Sequence, residues 1–418
     1  MNDFQYRKND LCCEQVPIEK IAAAVGTPFY LYSRQTLENH FASFDGAFTA
    51  IPHLTCYSVK ANSNLAILKT FAGRGAGADV VSGGELFRAL SAGVPAEKIV
   101  YSGVGKRPQE ITYALDAGIL MFNVESPQEL ELVAELAGKA DRKARIALRV
   151  NPDINPGTHP YISTGLKENK FGINLQDALQ EYEKARDKKH IDITGIACHI
   201  GSQITEASPF VEALRTLKKL VMELQGRGIA LRYLDLGGGL GITYKKESPP
   251  LPQQYAQEIV SELAGLPVTL ILEPGRVLVG NAGILVTQVL YTKNSGEKNF
   301  IVVDAGMNDL IRPSLYGSYQ GIQPVKKKKG QKITADIVGP ICESGDFIAK
   351  KRKVPAFAPG ELMAVMSAGA YGFSMSSNYN SRPRVPEVLV TGETWFVIRE
   401  RESYDDLIRG ETIPGYLR

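Results

Sequence analysis

Between Leu54 and Pro274 the chain alternates eight short apolar runs with stretches of helical periodicity. The runs are LTCYSVK, GADVVS, KIVYSG, LMFNV, RIALRVN, IDITGIACHI, RYLDLG and VTLILEP. Continuous apolar runs bounded by turn residues suit strands buried on both faces, and helical stretches such as Ser63 to Ala72, Gly84 to Ala92, Pro127 to Ala137 and Pro209 to Gly226 supply the crossovers. Eight βα units in roughly 220 residues predict a (β/α)8 TIM barrel rather than an open doubly wound sheet, which would carry an early nucleotide fingerprint.

After about Gly283 the texture changes. GILVTQVLYT, NFIVVDAG, TADIVGP, ELMAVMSAGAYG and TWFVIRE are β-branched and separated by Gly, Pro and Lys-rich turns. This predicts a second, mainly β domain, sandwich or barrel-like, and a chain of 418 residues has room for it. The expected boundaries are 34–280 for the barrel and 1–33 plus 281–418 for the β domain, with TPFYLYS supplying an edge strand. Lys326 to Lys329 reads as a solvated turn.

Composition narrows the function. A net charge of +3 is too small for a dedicated nucleic-acid or membrane-surface protein. Five cysteines without a CxxC pair argue against a disulfide framework and a zinc ribbon, so a reducing cytoplasm and no metal are expected. There is no apolar run long enough to span a bilayer, and no signal peptide is read at MNDFQYRKND. Cys12 and Cys13 are read as incidental packing.

Barrel enzymes build their sites where strands end, and here those ends are chemically rich: Lys60, Asp79, Ser102, Asn123 with Glu125, Asn151, His199 with Ser202, Gly237 to Gly239, and Glu273 with Arg276. Lys60 closes an apolar strand. Partial burial would favour its neutral amine and Schiff-base chemistry, although a snorkelling lysine fits the same position. Gly237, Gly238 and Gly239 let backbone N–H groups approach an anion, and Arg276 in EPGR adds a guanidinium. A glycine run also makes an ordinary tight turn. The chain lacks GxxxxGK[ST] and GxGxxG. An imine-forming lysine beside a phosphate cradle points to pyridoxal 5'-phosphate, with Glu273 able to meet the pyridine nitrogen and His199 the ring face. His199 alone could equally be a core histidine.

These residues and the motifs around them resemble the fold-type III, alanine-racemase-like pyridoxal-phosphate decarboxylases, most closely the diaminopimelate decarboxylase branch. The resemblance runs from TPFYLYS through YSVKAN, DVVSGGEL, ISTGLKENKFGI, CHIGSQ, DLGGGLG, EPGR, DAGMNDLIRPSLYG and GPICESGD to AYGFSMSSNYNSRPRVPEVL. It implies that Lys60 carries the cofactor, that His199 stacks on it and that Glu273 pairs with the pyridinium. Ser202, Gly239, Gly275, Arg276 and Tyr371 would contact phosphate, and Asp79 would lie close to the lysine. It further implies a homodimer with shared sites, in which Cys342 and Glu343 reach the other subunit's cofactor and Cys342 returns a proton to Cα. The reaction implied is decarboxylation of meso-2,6-diaminopimelate to L-lysine and carbon dioxide, the last step of lysine biosynthesis by that route.

That substrate carries both an ammonium and a carboxylate on its far carbon, so its pocket needs both signs. Arg312 and Tyr316, helped by Arg276 and Tyr371, would take the carboxylate, and Glu343 the ammonium. Read alone, Arg312 could be a surface arginine and Cys342 a buried structural thiol. Two other classes share the fold. An amino-acid racemase is opposed by Glu273, since such racemases resemble this fold with arginine at the pyridine nitrogen. A single-domain cofactor carrier leaves the β domain without a role.

Overall fold

The computed structural model describes residues 2–155, Gly157, His159, Thr164 and 169–417. The chain divides into two compact units, Leu37–Val279 and Met1–Thr36 with Gly280–Arg418.

The first unit is a closed parallel barrel. Its strands are β1 (His53–Ser58), β2 (Gly77–Val80), β3 (Ile99–Tyr101), β4 (Met121–Val124), β5 (Ala144–Asn151), β6 (Ile191–Ala197), β7 (Tyr233–Asp235) and β8 (Thr269–Leu272). Each pairs in parallel with the next, β8 pairs with β1 and β4 with β5, so no edge remains. All eight apolar runs of the sequence form these strands. Cys56, Val100, Leu120, Met121, Ala147, Ala197 and Ile271 form a buried cluster among them.

Caps start the crossover helices where the sequence changes period. Ser82 accepts the Glu85 amide to open Gly83–Ser91, and Ser126 accepts the Glu129 amide to open Pro127–Lys139, each at 3.2 Å. The longest helix among the described residues, Ser208–Gly226, buries Phe210, Ala213, Leu214, Leu217, Leu220, Val221 and Leu224, the spacing of one helical face. Burying a leucine or phenylalanine contributes about 1.5–3 kcal/mol each. Among the described residues no helix is long and apolar enough to cross a membrane.

The second unit is built on a branched nine-strand sheet. Its path runs Phe347–Pro355, Lys332–Val338, Lys298–Val303, Gly283–Ser295, Phe29–Ser33, Glu387–Thr391 and Thr394–Arg399, with Leu362–Val365 branching from Gly283–Ser295 and Ile322–Pro324 pairing in turn with Leu362–Val365. The expectation of an edge strand in TPFYLYS is corrected here. Phe29–Ser33 lies in the interior of the sheet, antiparallel to one neighbour and parallel to the other, and all five residues are buried. A run with no polar face has no side to give to water, which is why it sits inside. A separate three-strand sheet (Phe4–Arg7, Asp10–Cys13, Val16–Pro17) buries Cys12 and Cys13. In the lysine run, Lys326 pairs with Glu19 at 2.8 Å and Lys328 with Glu361, so carboxylates as well as water neutralise that turn.

Candidate functional site

The strand ends of the barrel converge on a cavity of about 400 Å³ whose lining includes Lys60, Ser102, Asn123, Arg149, His199 and Glu273. Lys60 sits in the single turn Val59–Ala61 after β1. Val59 and Ala61 are fully buried, which anchors the backbone while one third of the lysine side chain stays accessible. Lys60 Nζ donates to Asp79 Oδ2 at 2.5 Å, and Ser58 Oγ donates to the same oxygen at 2.6 Å. Burial alone would raise Asp79. The Lys60 charge and these two hydrogen bonds outweigh it and hold the carboxyl below its ordinary range.

His199 follows β6. Burial, reinforced by the charges of Arg149 and Lys60, pushes its imidazolium down to about 3. The ring is therefore neutral near pH 7. The Gly238 amide donates to Nδ1 at 3.1 Å, so the ring proton is on Nε2. Arg149 is itself held by Glu125 at 2.8 Å, and Glu125 also accepts the Gly103 and Gly172 amides at 2.8 and 3.0 Å.

Glu273 follows β8 and is 5% exposed. Burial first, and then the charges of Asp235 and Asp79, raise it well above the ordinary carboxylate range. Ser102 Oγ donates to its Oε1 at 3.3 Å. An acid kept neutral in this way is a proton donor waiting for a base.

A third wall combines the glycine run with a guanidinium. Any side chain at Gly238 would place Cβ 2.0 Å from the Glu273 carbonyl oxygen, and at Gly239 (φ +121°) 2.4 Å from that of Gly201. Only glycine lets these backbones pack so closely. Beside them Arg276 Nη2 donates to Ser202 Oγ at 3.0 Å and Nη1 to Tyr244 Oη at 2.7 Å. Ser202 thus accepts from the guanidinium and keeps its own O–H as a donor. Gly275 is packed on Ser58 and Ala61, where a Cβ would come within 3.0 Å of each, so it couples the Arg276 turn to the Lys60 turn.

Arg149, Asp235 and Tyr244 were not singled out in the sequence. Arg149 and Asp235 leave a readable trace, a charge inside an apolar strand (RIALRVN, RYLDLG). Within the segment 162–171 of the ISTGLKENKFGI motif, residues 162, 163 and 165–168 lie outside the described residues.

The remaining candidates belong to the second unit. Arg312 opens the short helix Arg312–Tyr316 and is 5% exposed, which excludes the surface-arginine reading. Cys342 is exposed, which excludes the buried-thiol reading. Asn380 Oδ1 accepts its amide at 2.8 Å. Asp346 accepts the Met307 and Ile341 amides at 2.6 and 2.7 Å, and Ser314 Oγ donates to the Gly345 carbonyl at 2.5 Å, so the Arg312 helix and the turn carrying Cys342 and Glu343 form one braced cluster. Tyr371 adopts φ +56°, a left-handed conformation uncommon for tyrosine.

Comparison with known proteins agrees with this geometry. The family model for the pyridoxal binding domain of pyridoxal-dependent decarboxylases matches residues 34–280. The chain is 51% identical to the diaminopimelate decarboxylase of Aquifex aeolicus over 97% of its own length and 96% of that protein, and 50% identical to that of Pseudomonas aeruginosa over 99% of both. Among solved structures, diaminopimelate decarboxylase from M. jannaschii superposes with a TM-score of 0.95 at 38% identity, covering 100% of this chain and 99% of that one. The Helicobacter pylori enzyme complexed with L-lysine superposes at 0.91 with 44% identity, covering 94% and 98%. The chain belongs to the pyridoxal-dependent decarboxylases and, within them, to the diaminopimelate decarboxylase family.

Proposed function

We propose that this chain decarboxylates meso-2,6-diaminopimelate to L-lysine and carbon dioxide, the closing step of lysine biosynthesis by that route, in the cytoplasm. The observation that carries the proposal is the barrel cavity, whose wall sets a lysine amine, a neutral imidazole and a buried carboxylic acid around one space. Pyridoxal phosphate fits these groups. Lys60 is the amine for its aldehyde, Glu273 the carboxyl for its pyridine nitrogen, His199 a flat neutral face, and Ser202, Gly239, Gly275, Arg276 and Tyr371 the phosphate contacts. When bound, the cofactor supplies an electron sink for the pair left at Cα as the carboxylate departs.

The chain's own residues do the rest. Asp79 holds Lys60 Nζ in one place at the mouth of the cavity. Glu273 and its neighbours hold the nitrogen end of the site out of water. Cys342 gives its Sγ–H proton to Cα after carbon dioxide has left. Arg312 and Tyr316 bind the distal carboxylate and Glu343 the distal ammonium, so a substrate bearing only a cation leaves Arg312 without its anion. We place Cys342 and Glu343 of the partner subunit at each cofactor, which makes a homodimer the active form.

The test is carbon dioxide release by cofactor-loaded protein from diaminopimelate, L-lysine, ornithine and arginine in turn. Release from diaminopimelate alone is expected. Release from a basic amino acid instead would overturn the substrate assignment, and no release from any would overturn the reaction.

A further inference from the structure

A second carboxyl lies against Glu273, and the decarboxylation as derived above makes no use of it. Asp235 ends β7 and is fully buried. Its Oδ1 accepts the Gly237 amide at 2.9 Å and its Oδ2 the Asn123 side-chain amide at 2.8 Å. The same Asn123 Nδ2 lies 3.0 Å from Ser102 Oγ and 3.5 Å from Glu273 Oε1, so one amide ties both carboxyls and a hydroxyl together. Two buried carboxyls joined through one side-chain amide in this way repel each other if both ionise, so the pair holds a proton between them, on one carboxyl or the other.

The surroundings decide which. Burial pushes Asp235 only up to about 6, because Glu273, Asn123 and Gly237 all hydrogen-bond to its charged form. Glu273 is raised well above its ordinary range by burial, by Asp235 and by Asp79, with Lys60 opposing. The thiols of Cys56 and Cys198 nearby are raised by burial and stay neutral, and the guanidinium of Arg149 lines the same cavity. The close N–H donors at 2.9 and 2.8 Å favour the charge on Asp235, whereas Glu273, with contacts of only 3.3 and 3.5 Å, is the better place for the proton.

We propose that Asp235 is a positioning residue for Glu273: the two share one proton in the free chain, and Asp235 supplies a second negative charge once Glu273 has passed that proton to the pyridine nitrogen. In that transfer the Glu273 O–H bond breaks, its electron pair stays on the carboxylate oxygen, and an N–H bond forms on the cofactor. No proton is drawn from solvent. Two adjacent carboxylates then hold the nitrogen protonated more firmly than one could. The inference rests on the reading of Glu273 as the pyridine partner.

Infrared difference spectra of the cofactor-free chain, native against Glu273→Gln at neutral pH, test the shared proton. A carbonyl band from a protonated carboxylic acid, lost in the variant, is expected, and its absence overturns the proposal. In the loaded chain, magnetic resonance of an isotope-labelled pyridine nitrogen reads protonation directly. Asp235→Asn is expected to lower the nitrogen's titration by about one pH unit or more, a tenfold fall in its affinity for the proton. The double variant Asn123→Asp with Asp235→Asn, which returns a carboxylate to the same hydrogen bond, is expected to restore it. An unchanged titration in Asp235→Asn, or no recovery in the double variant, overturns the proposal. A nitrogen that stays protonated in Glu273→Gln would instead remove the underlying reading of Glu273. If Asp235→Asn does not fold, the infrared band of the native chain decides.

Discussion

The barrel unit and the β unit hold their functional side chains by opposite means. In the barrel, the groups are fixed by other buried side chains: Asp79, Asn123, Glu125, Asp235 and Glu273 are each no more than 5% exposed, and together they grip Lys60, Arg149 and the glycine run. In the β unit the exposed Cys342 sits on a turn braced mainly through backbone groups, by Asp346, Asn380 and Ser314. The difference has a chemical meaning. Buried charges act on one another through a low effective dielectric and so set protonation states, whereas a braced surface turn sets only where a side chain points. Substitutions in the barrel should alter ionisation and cofactor attachment, and substitutions in the β unit should leave that attachment intact.

The largest expected effect is on the barrel side. Lys60→Ala should abolish the cofactor's covalent absorbance band and lower kcat by about four orders of magnitude or more, as when one member of a catalytic unit is removed. A spectrum unchanged from the native protein would break the assignment of the amine. Next, Cys342→Ala should lower kcat by about 10² to 10⁴ with KM little changed and that band intact, which steady-state kinetics and the absorbance spectrum together check. If the band also disappeared, the division of labour between the units would be wrong.

Arg312→Met should lower kcat/KM for diaminopimelate by roughly 10- to 150-fold, the loss of one charge-assisted hydrogen bond of about 1.5–3 kcal/mol, mainly through KM. A fall in kcat at constant KM would give Arg312 a chemical role instead. The smallest effect is on stability. His199 has a folded value near 3 against an unfolded value near 6.5, so the unfolded chain binds a proton in that window that the folded chain refuses. Its contribution is therefore fully present above pH ~6.5 and lost on acidification, by about 1.4 kcal/mol per pH unit. Denaturant titrations across this range should show native protein losing stability faster than His199→Phe as pH falls. Glu85, raised by burial to about 7, runs the other way but is common to both chains. Parallel curves would mean that His199 is not held neutral.

The eight barrel strands were legible because a strand covered on both faces is an unbroken apolar run, and the site residues because they interrupt those runs at the end. The same rule hid others. Phe347–Pro355 reads FIAKKRKVP, a charged stretch that resembles a turn, yet it pairs antiparallel with Lys332–Val338 and turns several basic side chains outward. Asp235 lies within an apolar strand, where nothing local separates a buried functional acid from a strand-ending one. Its partner Asn123 lies 112 residues away in the chain, and only barrel closure brings the two together. Arg149 was missed for the same reason, since Glu125 is 24 residues distant.

The interior position of Phe29–Ser33 bears on how the chain is made. Its neighbours are Gly283–Ser295 and Glu387–Thr391, and Tyr32 Oη donates to Glu387 Oε1 at 2.8 Å across a separation of 355 residues. During synthesis this apolar strand emerges before the barrel and is covered after it. The barrel's final strand ends at Leu272, about 120 residues before Thr391. At roughly 5–20 residues per second this leaves on the order of ten seconds in which the barrel can close while FYLYS still lacks one of its two neighbours. Contacts between such distant segments form slowly, so the sheet follows the barrel, and a nascent chain stalled short of residue 387 presents an open apolar edge to chaperones and to other chains.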